Sequence, residues 1–141
     1  MTSEKTDTTA RHDKPAIILS ATDYSRLSAL AHAARNRLPD LASELAEEVS
    51  RARVLGRDET PHNFVGMNDD VGFRDDVTGR VRQVKLVYPD EADISQGKVS
   101  VMTPVGTALI GLQTGRSIAW ETPSGETRRL TVLSVRKPER H

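Results

Sequence analysis

Tyr24, Leu27, Ala31, Ala34 and Leu38 recur at alternating steps of three and four, while Arg26, Arg35 and Arg37 fall off that stripe. The spacing predicts an amphipathic helix from Asp23 of about 16 residues, with a heptad-like seam. Ahead of it, "AIILS" (16–20) is an apolar run bounded by Pro15 and a cap-like Thr22. It is either a short strand or a lead-in that packs on the helix. Pro39 then breaks the helical ladder, and Asp40 is placed to cap a new helix that starts at Leu41. Leu41, Leu45, Glu48 or Val49, Ala52 and Leu55 continue an apolar seam, with Glu44, Glu47, Arg51 and Arg53 outward or flanking. Two antiparallel helices joined by about two residues make an αα-hairpin. Its arms are roughly 24 Å long at about 1.5 Å rise per residue. So short and alanine-rich a seam depends on the rest of the protein at its base.

The period changes after "GRDETPHNFVG" (56–66), whose Gly, Pro, Asn and Asp end the helical region. "DVGFRD" puts Val71 and Phe73 on one face, and "GRVRQVKLVYP" alternates Val81, Gln83, Lys85 and Val87 against Arg82, Val84, Leu86 and Tyr88. With the turn "DDVTG" between them, these two runs predict a hairpin. "KVSVM", "RSIAWE" and "TRRLTVLSV" predict three more strands, the last two joined by "TPSG". Between the third and fourth lies "TPVGTALIGLQTG", a short helix with Pro104 in its first turn and Gly111 or Gly115 at its exit. The fold class is α+β, a helical hairpin followed by a strongly curved antiparallel sheet with one short helix on its concave face. The expected division is a disordered tail at 1–15, the hairpin at 16–56, a linker at 57–68 and the sheet domain at 69–137.

Charge and composition narrow the function classes. Lysine plus arginine and aspartate plus glutamate both total 20, so the net charge is zero and no whole-chain field draws the protein to nucleic acid or anionic lipid. There is no cysteine, which removes disulfides, thiolate metal sites and cysteine nucleophiles together. The start of the chain has no apolar core of a signal peptide, and no run approaches the about 18 apolar residues of a membrane span. These features predict a soluble, cytoplasmic protein.

Chemistry-bearing constellations are sparse. His12, His32, His62 and His141 lack metal-ligand spacing, and no serine lies in a G-x-S-x-G elbow. The glycines of "GTALIG" and "GLQTG" match neither phosphate-binding pattern, and they read as a close-packing residue, Gly106, and turn residues, Gly111 and Gly115. Asp40, Glu44 and Glu47 near the hairpin tip are the one set that could lend carboxylates to a divalent ion, although dipole-favoured residues at a helix start would look the same. Arg128, Arg129, Arg136 and Lys137 form a modest basic cluster, either a solvated strand edge or a nucleic-acid footprint. No cofactor, no metal and no catalytic residue is expected.

"MNDDVGFRD", "KLVYPDEAD", "VSVMTPVGTALIGLQTGRSIAWETPSG" and "LTVLSV" resemble the C-terminal domain of the GreA/GreB transcript-cleavage factors. "PHNFVGMN", "LVYP" and "VMTPVGTALIGL" are similar to the Rnk branch of that family, short-hairpin relatives that take their name from regulation of nucleoside diphosphate kinase. The likeness covers residues 60–135 by motif and the first third by architecture and length. It implies an FKBP-like sheet domain and a short coiled coil. Too few aromatic residues are present to line a prolyl-isomerase pocket and also fill a core. It further implies a partner, RNA polymerase, with the sheet domain on the rim of the secondary channel and the hairpin entering it. DNA or RNA would be met only indirectly, and the protein would act as a monomer.

In the cleavage factors a segment ending in Ser-Pro before the short helix contributes to polymerase binding, and it matches Met102, Thr103 and Pro104. Some of those factors have aspartate where this chain has Met102. The hairpin tip maps to Pro39, Asp40 and Glu44. Cleavage factors read D-L-x-E-N there, against Asp40-Leu41-Ala42-Ser43-Glu44 here. The second carboxylate is thus moved by one residue, about 100° round a helix. The resemblance therefore implies a non-enzymatic polymerase-binding regulator that competes with cleavage factors. The alternatives are a cleavage factor whose tip carboxylates serve the polymerase's Mg²⁺, and an adaptor that binds a nucleotide-metabolism enzyme directly.

Overall fold

Leu27, Ala31 and Ala34 line the buried side of α1 (Ala21–Ala34), the first helix of a computed structural model that describes residues 16–56, 63–121 and 124–137. The tail at 1–15, the linker residues 57–62, His12, His62, His141 and the first half of the "TPSG" turn lie outside the described residues. α1 has 14 residues and starts earlier than its stripe suggests, because Ser20 and not Thr22 caps it: the Ser20 hydroxyl accepts from the Asp23 N–H at 3.1 Å. It also stops earlier. Leu38 stands before Pro39, and the proline ring disfavours helical backbone at that position; Leu38 takes φ −133°, ψ 67° and is 42% exposed.

The second helix, α2, runs Pro39–Arg51 with the proline in its first turn, so Asp40 is a first-turn residue and not the cap. Residues 35–38 make the connection. Ala42, Leu45, Glu48 and Val49 are buried, which places both Glu48 and Val49 in the seam. Ala52 turns to extended backbone and Leu55 leaves the helix altogether.

Both ends of the hairpin are tied down. β1 (Ile18–Leu19) pairs in parallel with β2 (Arg53–Val54), so the "AIILS" run does contain a strand. The Ile18 N–H donates to the Gly111 carbonyl at 3.0 Å, and Gly111 donates to the Val65 carbonyl at 2.8 Å. Leu27, Leu45 and Val49 belong to the same buried cluster as Val65, Leu109 and Leu130, so the hairpin shares one core with the sheet. Residues 63–68, assigned to the linker from sequence, pack into that region too. Phe64 and Val65 are buried, and Phe64 bridges to Gln113.

The sheet contains β3 (Asp70–Asp75), β4 (Val81–Val87), β5 (Lys98–Ser100), β6 (Ser117–Glu121) and β7 (Thr127–Arg136), in the spatial order β5-β4-β3-β7-β6. The expected hairpins β3–β4 and β6–β7 both form, antiparallel. The sheet is nonetheless mixed. β5 lies parallel to β4, with Leu86 opposite Val99, because the stretch 88–97 folds through two short 3₁₀ turns and returns the chain in its original direction. Curvature has a local cause in a bulge. Gly72 pairs with Ser134 and Phe73 with Val132, leaving Leu133 as the extra residue, 41% exposed. α3 (Pro104–Leu109) packs between the sheet and α2.

Candidate functional site

The segment before α3 is held by its own short-range hydrogen bonds. The Thr103 hydroxyl donates to the Ser100 carbonyl at 2.7 Å and accepts from the Gly106 N–H at 3.0 Å, which makes it the N-cap of α3. Ser100 Oγ accepts from the Met102 N–H at 2.9 Å, and Thr107 Oγ1 donates to the Val101 carbonyl at 2.8 Å. A Cβ on Gly106 would meet the Ser100 carbonyl oxygen at 2.1 Å, so only glycine lets the helix sit this close to the end of β5. Of the three residues matched to the docking segment, Met102 is 6% exposed and its side chain belongs to the core. Thr103 and Pro104 are half-buried and present the outer surface of this turn.

At the hairpin, Pro39, Asp40 and Glu44 are all exposed. Asp40 and Glu44, four residues apart on α2, share a helix face. They do not share surroundings. Glu44 and the buried Glu48 form one wall of a cleft of about 330 Å³, whose other side is made by Pro104, Thr107, Ile118 and Trp120. The fold thus brings Glu44 to Pro104, whereas Pro39 lines a separate groove of about 380 Å³ along the hairpin seam with Tyr24, His32 and Ala46.

The basic cluster at the end of the chain is matched, residue by residue, to the acidic ends of β3. Arg128 Nη2 donates to Asp75 Oδ2 at 2.5 Å, and Lys137 Nζ donates to Asp69 Oδ2 at 2.7 Å. Arg129 lies 3.9 Å from Asp76, and Arg136 lies 3.9 Å from Asp70. These pairs explain the cluster within the molecule. Desolvation opposes ionisation of Asp75, but the Val77 N–H, Arg128 and the Thr78 N–H outweigh it and hold the carboxyl below its ordinary value. Asp76 is held low by the Thr131 hydroxyl and Arg74.

A polar cluster that no sequence pattern announces joins α1 to the sheet. Asp69 is buried and also accepts from the Gly66 N–H at 2.7 Å; Asp23 accepts from the Met67 N–H at 3.1 Å. Burial pushes both carboxyls above the ordinary 3.8, against the lowering effect of these bonds. Nearby, Arg26 lies over the Tyr88 ring at 4.5 Å, and burial together with the Asp23 charge pushes the Tyr88 phenol up to about 12. Among the described residues, no group of three or more His, Asp or Glu side chains is arranged to hold a metal ion, and the His32 ring faces the Arg35 guanidinium at 2.6 Å.

Comparison with known proteins places these features in a lineage. Residues 60–137 match the family model for the C-terminal part of the transcription elongation factors GreA/GreB, and residues 15–55 match the model for the Rnk N-terminus. The regulator of nucleoside diphosphate kinase from Escherichia coli (strain K12) is 39% identical over 122 residues, which are 86% of this chain and 90% of the relative. Transcription elongation factor GreA of Thermodesulfovibrio yellowstonii is 31% identical, with 94% of this chain and 88% of the relative covered. A solved structure described as a prokaryotic transcription elongation factor GreA/GreB from Nitrosomonas europaea superposes with a TM-score of 0.66 at 36% identity, covering 87% of this chain and 99% of that one. A helical hairpin closed at its base by β1 and β2, a curved sheet with one capped short helix, and family matches to both parts lead to one conclusion: the chain belongs to the GreA/GreB family of transcription elongation factors, in its Rnk branch.

Proposed function

We propose that the protein is a non-enzymatic regulator that binds RNA polymerase at the rim of the secondary channel and competes there with transcript-cleavage factors. The FKBP-like sheet domain docks through Thr103, Pro104 and the backbone of Met102. The tip of the short coiled coil, Pro39, Asp40 and Glu44, faces into the channel. Regulation of nucleoside diphosphate kinase, the role for which the Escherichia coli relative is named, follows in this reading from an altered polymerase and not from contact with the kinase. The protein acts as a cytoplasmic monomer, and DNA or RNA is met only through the polymerase. No helix among the described residues is long and apolar enough to cross a membrane.

The observation that carries this reading is the length of the arms. α1 has 14 residues and α2 has 13, so each spans about 20 Å at about 1.5 Å per residue. That rod is shorter than the long coiled coil the resemblance attributes to cleavage factors, and its second tip carboxylate is displaced from the matching position. A second reading, a cleavage factor that lends carboxylates to the polymerase Mg²⁺, is favoured by the exposure of Asp40 and Glu44 on one face of α2.

Displacement tests the first reading. A fluorescently labelled GreA factor is bound to purified core RNA polymerase, and the unlabelled chain is titrated in. Stoichiometric displacement is the expected result; simultaneous binding of both proteins would contradict competition for one channel.

A further inference from the structure

We infer that the cleft between α2 and α3 is part of the polymerase-docking surface, and that it receives an arginine or lysine side chain presented by a polypeptide segment of the polymerase. This rests on the polymerase-binding reading above. It moves Glu44 from the channel-facing tip to the docking face.

Position comes first. The cleft is built jointly by the two parts of the fold, with Glu44 and Glu48 from the hairpin and Pro104, Thr107, Ile118 and Trp120 from the sheet domain. Pro104 is itself one of the proposed docking residues, so the cleft opens beside that contact. A partner seated on Pro104 therefore meets Glu44 as well.

Charge selects the occupant. Among the described residues, two carboxylates line the cleft and no cationic side chain does. Glu48 is buried and already paired with Arg51, whereas Glu44 is exposed and, among the described residues, its side chain makes no hydrogen bond or ion pair. Glu44 is thus the uncompensated charge. Arg128, paired across the sheet with Trp120, is directed to Asp75. The half-buried Trp120, the only tryptophan of the chain, adds an indole face, and the buried Thr107 and Ile118, with the Thr107 hydroxyl turned to the Val101 carbonyl, add methyl groups to the lining. An aliphatic stem that ends in a guanidinium or ammonium satisfies all three surfaces at once, with apolar burial, a cation beside the indole, and an ion pair to Glu44. An acidic or purely apolar segment would leave Glu44 opposed or unpaired.

The test measures binding of the full chain to purified core RNA polymerase at ~0.1 M and at ~0.5 M salt, where screening differs. Glu44→Arg is compared with Glu44→Asp and with Asp90→Arg. The last makes the same charge change on an exposed turn beyond β4, away from the β6 edge of the sheet. Circular dichroism confirms that each variant is folded. Glu44→Arg is expected to weaken binding by about tenfold or more at the lower salt and by less at the higher, with Glu44→Asp and Asp90→Arg near wild type. Unchanged binding by Glu44→Arg would overturn the inference and leave the polymerase reading intact. An equal loss in Asp90→Arg would overturn it as well, since the effect would then be general charge. Failure of the wild-type chain to bind would overturn the polymerase reading and this inference with it.

Discussion

Lys137 Nζ lies 2.7 Å from Asp69 Oδ2 and 3.0 Å from the Phe64 carbonyl oxygen, so the residue that follows β7 fastens the segment that leads into β3. Its ammonium also lies over the Phe64 ring at 4.4 Å. Asp69 is 2% exposed and has few alternatives in solvent. Lys137→Ala is expected to destabilise the fold by about 2 kcal/mol, less than the about 3–5 kcal/mol of breaking a fully buried ion pair, because the lysine itself is partly in water. Lys137→Ala combined with Asp69→Asn should recover part of that loss. Urea unfolding followed by circular dichroism measures both.

Acid titration should reveal two opposed groups of carboxyls. Asp23 and Asp69 have raised folded values, so the folded state holds their protons more tightly than the unfolded state does. Their contribution therefore improves as pH falls from above their raised values toward 3.8, the ordinary value. Asp75 and Asp76 have lowered values, so their contribution is present above 3.8 and is lost as pH falls below it. Stability against pH is expected to pass through a maximum in the acidic range. Asp23→Asn should flatten its alkaline flank and Asp75→Asn its acidic flank, measured as unfolding midpoints at successive pH values.

Gly106 is a packing constraint that substitution should expose. With Ser100 O at 2.1 Å and Val101 Cα at 2.7 Å from a Cβ, the obstruction is backbone on both sides and cannot swing away. Gly106→Ala is expected to cost about 3 kcal/mol, at the upper end for overpacking. Gly115→Ala, where a Cβ meets nothing within 4 Å and only the φ of +88° resists, should cost about 1 kcal/mol. Thermal midpoints of the two variants give the comparison.

Thr103 and Pro104 separate structure from docking. Thr103→Ala removes the cap of α3 and is expected to cost about 1 kcal/mol, with Thr103→Ser close to wild type. Pro104→Asp keeps a residue suited to a helix start and should leave the fold intact while weakening polymerase binding. Differential scanning calorimetry and a polymerase pull-down, run on the same preparations, distinguish the two. Unfolding of Pro104→Asp would make the proline structural.

Elements with a sustained period were legible from the chain alone. Leu27, Ala31 and Ala34 on α1 and the alternation through Val84 and Leu86 on β4 each repeat often enough to declare a face. What stayed hidden lacks a period. β1 and β2 are two residues each, paired by the Arg53 and Leu55 N–H groups donating to the Ile17 and Leu19 carbonyls, and β1 is tied in turn to Gly111, far along the chain. The parallel β4–β5 pair depends on the path of 88–97, which reads as an ordinary loop. On β7 the bulge shifts the inward set from Leu130 and Val132 to Val135, so no single alternation describes the strand. The candidate site shows the same limit. Asp40, Glu44 and Pro104 are visible as residues, but the meeting of Glu44 with Pro104 and Trp120 is a product of how the hairpin packs on α3. Likewise the basic residues on and after β7 read equally as a solvated strand edge or a nucleic-acid footprint until the aspartates in and beside β3 are placed opposite them.

The most direct measurement is transcript cleavage in stalled elongation complexes made with purified RNA polymerase, with this protein added alone and then together with a GreA cleavage factor. A channel-binding competitor should yield no 3′-end cleavage by itself and should suppress cleavage by the factor in proportion to its concentration. Cleavage by the protein alone, abolished by Asp40→Ala, would contradict that role and make the hairpin tip a donor of carboxylates to the polymerase active site.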